Sequence, residues 1–469
     1  MSSIESVYQI FHQLNNIPRA SHHEEQVADY LCAFANRLGL SYQRDKQNCI
    51  VIRKEATPGY EAAEPIVLLN HCDMVAVGDA QFNPLKDPIK SYIKDGWMYA
   101  HGTSLGADNG IGLSMALAIL EADDIQHPAI EVLTTTNEED GMTGAAGLSP
   151  DFIKGRKVIN LDSEDYDTIT VGAAGALIQK AQWQCSSIVP PTNVSYYQLS
   201  ISNGLGGHSG VDINKGRINA IKELCNILHQ SDGIVVSIKG GVASASIPNS
   251  CTATVGLTSI QAHHLSEIIT QTRSQWRCNY TSETAIQITL NQTQTPPHTF
   301  DITNCIHTLC HIPCGVIQMH PNIAGTVMTS NNIGLIDTTP DGLVSVSCHT
   351  RSFNDNEMRQ QAASIAQTIR LSGGTSNILM DTPGWQENTN TEFIQTVVNT
   401  FQKVLGFTPK PVAMHFVLEA GYYVQKFPGI QIACIGPRIV EPHSVNERVE
   451  LSTINNIWNV LIELLKTLR

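Results

Sequence analysis

The sequence predicts an α/β domain built on a mixed sheet and interrupted by an inserted α+β domain. Three observations carry that reading. The chain has 469 residues, 42% of them hydrophobic, too long for one ordinary core and comfortable for two. Residues 1–186 alternate helical and strand patterns, and the same alternation returns over 385–469. Between them, 187–384 is rich in Thr, Ser, Asn and Val, with the two-residue alternation of half-buried strands.

The elements follow in order. Ser21 and Glu24 in SHHEEQVADYL have the spacing of a capping box opening an amphipathic helix. PIVLLNH is a short, nearly continuous apolar run, as in a strand buried on both faces. NGIGLSMALAILEA reads as a helix, then AIEVLTTTN and KVINLDSED as strands, a succession that suggests a doubly covered sheet. In such sheets function collects beyond the carboxyl ends of the strands. In the insert, SYYQLSIS, CTATVGLT and LVSVSCHTRS alternate as strands, and GRINAIKELCNILHQ is a helix between them. The final helix carries Leu451, Ile454, Ile457, Leu461, Leu464 and Leu468 on one core-facing stripe.

Composition excludes some partners. A formal charge of −14 argues against a nucleic-acid or anionic-membrane surface, both of which need clustered positive charge. No apolar run reaches the length of a membrane span, and MSSIESVYQIFHQL lacks the pattern of a secretory leader. With 12 scattered cysteines and no disulfide framework, the expected location is the reducing cytoplasm.

Only 15% of residues are charged, yet TTTNEEDGMTGAAG sets Glu138, Glu139 and Asp140 side by side. Other polar clusters lie at strand or loop ends: His71 and Asp73 in NHCDMV, Asp108 in SLGADNGIG, Asp162 in NLDSED, and His443 in GPRIVEPHSVNE. Singly these are helix caps, turn formers, solvated loops or satisfied histidines. As a set, two histidines and several carboxylates suit two divalent cations, since imidazole nitrogen and carboxylate oxygen ligate zinc and one carboxylate bridges two metals. Spacing alone leaves both readings open.

The stretches IPRASHHEEQVADYL, HCDMV, GTSLGADNGIG, TTNEEDGMTGA, LDSED, GLGGHSG, TRS, PGWQ and IGPRIVEPHS, in this order, resemble the di-zinc metallo-aminopeptidase/carboxypeptidase/aminoacylase family, and most nearly its dipeptidases. The resemblance runs almost end to end. It implies a di-zinc exopeptidase catalytic domain with an inserted lid. His71 and Asp162 would hold one zinc, Glu139 and His443 the other, and Asp108 would bridge. Asp73 would orient His71, and Glu138 would be the general base and acid. His208 and Arg351, from the insert, would touch substrate, with Asn332 and Glu419 as further substrate contacts. The implied cofactors are two divalent ions per chain, zinc foremost, with manganese and cobalt as alternatives. The implied substrates are free dipeptides, including Xaa-His. A homodimer stays open, because relatives with smaller inserts borrow the lid histidine from a partner. Asp140 takes no role from the resemblance.

HFVLEAG carries Val417 where these dipeptidases have glycine, which puts Glu419 in doubt, and His101 stands where a basic residue, often arginine, is expected. CIHTLCHIPC gathers Cys305, His307, Cys310, His311 and Cys314, but helical spacing sets Ile302, Cys305, Ile306, Leu309 and Cys310 on one apolar stripe, so it reads as an ordinary helix. Two alternatives to a dipeptidase remain at this point: an aminoacylase or carboxypeptidase acting on N-acylated amino acids, and a non-catalytic binding relative.

Overall fold

The apolar run before His71 forms the strand Ile66–His71, all six residues buried, in the computed structural model, which describes residues 3–189, 191–296, 298–387 and 390–469. It runs parallel to Ile130–Thr135 on one side and Lys157–Asn160 on the other. His71 lies opposite Thr135 and Leu69 opposite Asn160, so three strands end together at one edge. They sit inside an eight-stranded sheet ordered Ser41–Arg44, Ile50–Lys54, Ile130–Thr135, Ile66–His71, Lys157–Asn160, Gln431–Cys434, Thr168–Ala173, Lys410–Met414. Parallel strands at its centre and antiparallel ones toward its edges make it mixed. The core around it draws on helices Ile4–Asn15, Glu25–Leu38, Ala107–Glu121, Glu392–Leu405 and Leu451–Thr467. Ile454, Ile457, Leu461 and Leu464 of the last helix are fully buried, as its stripe requires.

The chain divides into two units: Met1–Gly172 with Glu387–Ala413 and Glu419–Arg469, and Ala173–Gln386 with Met414–Leu418. The change of unit therefore comes earlier than the expected 186/187. The strand Gly175–Gln184, which precedes the expected boundary, pairs with Leu343–Ser352 and Thr375–Thr382 of the second unit. The second boundary moves to 386/387, and Met414–Leu418 returns to the second unit.

The second unit is built on a sheet ordered Gln287–Thr293, Ser195–Ser202, Cys251–Leu257, Ile234–Gly240, Val327–Thr338, Leu343–Ser352, Gly175–Gln184, Thr375–Thr382, with Gly315–Met319 pairing to Val327–Thr338. The pairings recorded along it are antiparallel. Helices Ala220–His229, Ser259–Asn279, Thr303–His311 and Asp355–Leu371 contribute to its own separate core. Among the described residues no helix is long and apolar enough to cross a membrane.

One local expectation is corrected. The helix expected after Ser21 starts at Glu25, with Glu24 as its N-cap residue. His22 turns the chain with φ 68°, so Ser21 lies outside the helix. Its hydroxyl donates to Asp73 instead, at 2.8 Å.

Candidate metal centre

Each predicted ligand of the first unit leaves the end of a secondary-structure element. His71 is the last residue of its strand, Glu138 and Glu139 follow Ile130–Thr135, and Asp162 follows Lys157–Asn160. His443 sits in the hairpin loop between Ile439–Val440 and Arg448–Glu450, with φ 60°, a left-handed backbone that a non-glycine residue adopts at a cost. Asp108 lies in the first turn of Ala107–Glu121, where its φ/ψ is not helical, and its peptide to Asn109 is cis.

The elements bring these side chains into two groups, His71–Asp108–Asp162 and Asp108–Glu139–His443, each with its ligand atoms within 4.8 Å of one another. Asp108 belongs to both. Its Oδ1 lies 3.2 Å from His71 Nε2 and its Oδ2 3.1 Å from His443 Nε2. Asp162 lies 3.4 Å from the same His71 nitrogen, and Glu139 2.9 Å from His443 Nε2.

Asp73 ties the histidine to the two glutamates. It is fully buried, its Oδ1 is 3.5 Å from His71 Nδ1, and its carboxylate accepts from the backbone N–H groups of Glu138 and Glu139. One side chain thereby fixes His71's ring and the strand end that carries the glutamates.

Two supports were not foreseen from the sequence. Glu447, 2% exposed, accepts from four consecutive backbone N–H groups, Leu105 to Asp108. Arg19, 1% exposed, donates to the carbonyls of Cys72, Asp73 and Gly106. Both hold the turn that presents Asp108. The only trace of them in the sequence is that Arg19 lies inside a stretch shared with the family and Glu447 just beyond one. The glycines of GADNGIG fit the same packing: a Cβ on Gly112 would collide with the Leu161 carbonyl, and one on Gly106, at φ 67°, with Arg19.

Electrostatics says what the site is matched to. Burial, with Asp162, Glu419 and Glu139 nearby, pushes Glu138 well above the usual carboxylate range, against the pull of His71. Burial likewise raises Asp162 to about 6 and Glu164 to about 7, with Asp108 adding to both. Hydrogen bonds to Asp108 and Glu139 raise His443 to about 11. Two imidazoles are too few for this many carboxylates, and Glu139 Oε1 is buried without a hydrogen-bond partner among the described residues. The donor set and its excess negative charge fit divalent cations bound by nitrogen and oxygen.

Glu419, 5% exposed, is one of the carboxylates that raise Glu138. It accepts from Thr135 and Tyr423, and burial first, then Asp162 and Asp73, raises it to about 8. Asp140 is exposed and pairs with His22 at 2.8 Å.

The remaining predicted residues belong to the second unit. His208 Nδ1 accepts from the backbone N–H groups of Gly210 and Val211, so in the neutral ring Nε2 carries the proton. Burial and the Arg351 cation lower its pKa. Arg351 is 3% exposed; its Nη2 reaches Ser209 at 3.5 Å, while Nε and Nη1 have no partner among the described residues. Asn332 uses both amide hydrogens on the carbonyls of Ser244 and Ser246, so no donor is left for a ligand. The helix Thr303–His311 buries Cys305, Ile306 and Leu309, and His307 and His311 pack against His229 with ring centroids 4.5 and 5.9 Å away. Among the described residues this run joins no metal-ligand grouping.

Known proteins resemble this chain along its whole length. The cytosol non-specific dipeptidase of Escherichia coli (strain K12) is 32% identical over 475 aligned positions, covering 99% of this chain and 98% of that one. The crystal structure of an aminoacylhistidine dipeptidase from Vibrio alginolyticus matches with a TM-score of 0.94 at 32% identity, over 100% of this chain and 98% of the other. Aminopeptidase PepT from Bacillus cereus ATCC 10987, 17% identical, shares the fold with a TM-score of 0.63 over 99% of both chains. A family model matches residues 67–467, a span that takes in all five predicted ligands: the chain belongs to peptidase family M20/M25/M40.

Proposed function

We propose that this protein is a cytoplasmic metallodipeptidase that hydrolyses free dipeptides, Xaa-His among them, at a site holding two zinc ions. The observation that carries the reading is the pair of ligand groups sharing Asp108, on a chain whose 32% identical relative is a cytosol non-specific dipeptidase. His71 and Asp162 would hold one ion, Glu139 and His443 the other, and Asp108, common to both groups, would serve both. Bound there, two divalent cations supply Lewis acidity, making a water more acidic and polarising the scissile carbonyl.

The protein's own groups do the rest. Glu138, buried and with its pKa raised, takes the proton of the attacking water and delivers it to the leaving nitrogen. Asp73 keeps His71 oriented and fixes the backbone of Glu138. His208, with its Nε2 proton, donates to the tetrahedral oxyanion. Arg351 offers its unpartnered Nε and Nη1 to the substrate's free carboxylate, a planar fork against a planar anion. Glu419, whose Oε1 is buried without a partner among the described residues, is the remaining candidate on the substrate side.

The test is a hydrolysis panel of free, N-acetylated and C-amidated dipeptides, with the stripped enzyme reloaded with Zn²⁺, Mn²⁺ or Co²⁺. Cleavage of the free dipeptides alone supports the reading. Preference for acetylated substrates would make the protein an aminoacylase or carboxypeptidase, and rapid cleavage of amidated ones would remove the role given to Arg351. No turnover with any metal would make it a binding relative.

A further inference from the structure

We infer that Asn332 is a positioning residue: it fixes the strand pair that carries His208 and does not contact substrate. The inference rests on the reading of His208 as the oxyanion donor.

His208 sits in a glycine-rich segment whose placement depends on what holds it from outside. In NGLGGHSG, Gly206 and Gly207 have φ of 62° and 137°, and its strand pairing among the described residues is a two-residue ladder, Gly207 opposite Ile247 and His208 opposite Ser246. A ribbon that short is not stable by itself: Glu283, Asp212 and Arg217 hold the His208 strand through Leu205, His208 and Gly206, and the position of its partner strand, Ser244–Ile247, has to be imposed from outside. Asn332 imposes it. It lies within the long strand Val327–Thr338, 1% exposed, and its Nδ2 donates to Ser244 O at 3.2 Å and Ser246 O at 2.8 Å. Its own amide is held in turn: Oδ1 accepts from Asn219 Nδ2 at 3.0 Å, and the same Asn219 nitrogen donates to Ile333 O. The strand also makes room for the segment, because a Cβ on Gly334 would collide with the Ser244 backbone. Ser209, next to His208, donates its N–H to Ala245 O at 2.8 Å. The chain of contacts runs from a central strand through one amide to the ribbon bearing the imidazole, and an error of about 1 Å at a reacting group costs roughly 100-fold in rate.

The experiment compares the wild type, Asn332→Ala, His208→Ala and the double variant, all full length and metal-loaded. Asn332→Asp serves as a second variant, since it keeps the size and sets an anion against two carbonyls. Expected for either Asn332 variant are two metals by elemental analysis, a kcat lower by roughly 10- to 100-fold, KM within about threefold, and faster hydrogen exchange at the Ser209 amide. In the double variant, the Asn332 change should cost less than about threefold beyond His208→Ala, because two residues acting through one group are not additive. Losses that multiply, a defect mainly in KM, unaltered Ser209 exchange, or wild-type kcat in a folded Asn332 variant would each overturn the inference. Near-normal turnover in His208→Ala would sink the oxyanion reading and the inference with it, a failure visible in that single variant alone.

Discussion

Glu138 and Glu139 are neighbours in the chain with different surroundings, and mutation should separate them. Glu139→Gln removes an oxygen from a ligand group and should lower metal occupancy. Glu138→Gln removes only the proton acceptor and should keep both metals while kcat falls by roughly 10³-fold or more; equal metal loss in the two variants would reverse the assignment. A second residue-scale prediction concerns pH. Burial, then the Arg351 cation, lowers His349 to about 2 and His415 to about 3. Both are neutral in the fold, whereas an unfolded histidine takes a proton below about pH 6.5. The unfolded chain then binds protons that the fold does not, so stability present above pH 6.5 is lost as pH falls toward about 3. The denaturation midpoint should decline between pH 7 and 5, with a shallower slope in His349→Gln; an identical slope would refute this origin. The candidate ligands stand out in the sequence because they sit at strand ends, in a glycine-flanked turn or, for His443, in a proline-containing loop, while their roles come from the family resemblance. Arg19 was not, because a buried guanidinium whose carbonyl partners lie 53 to 87 residues away leaves no local pattern. The family resemblance implies a substrate contact for Asn332; only the fold shows that its amide hydrogens are taken.

At the scale of elements, the turn Leu105–Asp108 and the His443 hairpin are one assembly held by Glu447. The carboxylate neutralises four donors at a helix start, and no neutral side chain of its size offers as many acceptor sites. Glu447→Ala should destabilise the first unit by about 3 kcal/mol through unmet buried N–H groups and weaken metal binding by roughly 10- to 100-fold. Denaturant melts and metal titration check both; unchanged metal affinity would mean that Asp108 is placed without it. The sequence showed the strand ends but not this contact, since residue 447 meets residues about 340 positions earlier. The misread capping box has the same cause. Serine three residues before a glutamate is a local pattern, and the demand of Asp73 for a donor is not.

At the scale of the molecule, two cores form without a shared residue, and the predicted ligands belong to the first. Chelation should abolish activity, with about two ions per chain restoring it. It should also lower the unfolding midpoint of the first unit while leaving the second unit's in place. Metal at a thousandfold excess over its Kd contributes about 4 kcal/mol, readable by calorimetry, and an equal shift of both transitions would contradict the assignment. The alternation of elements made the two-unit plan legible. The exact boundary was not, because Gly175–Gln184 has the composition of either sheet and only its pairing decides.

The first unit is discontinuous, and that has a consequence for how the protein comes into being. Chains emerge from the ribosome N-terminus first, and domains fold as they become complete. Ala173–Gln386, nearly all of the second unit, is synthesised before the segments that finish the first. His443 is synthesised only after Ala173–Gln386, and so well behind Asp108 and Glu139. On the proposed assignment, the nascent chain carries only one finished candidate group, His71–Asp108–Asp162, until His443 has been added to complete the second.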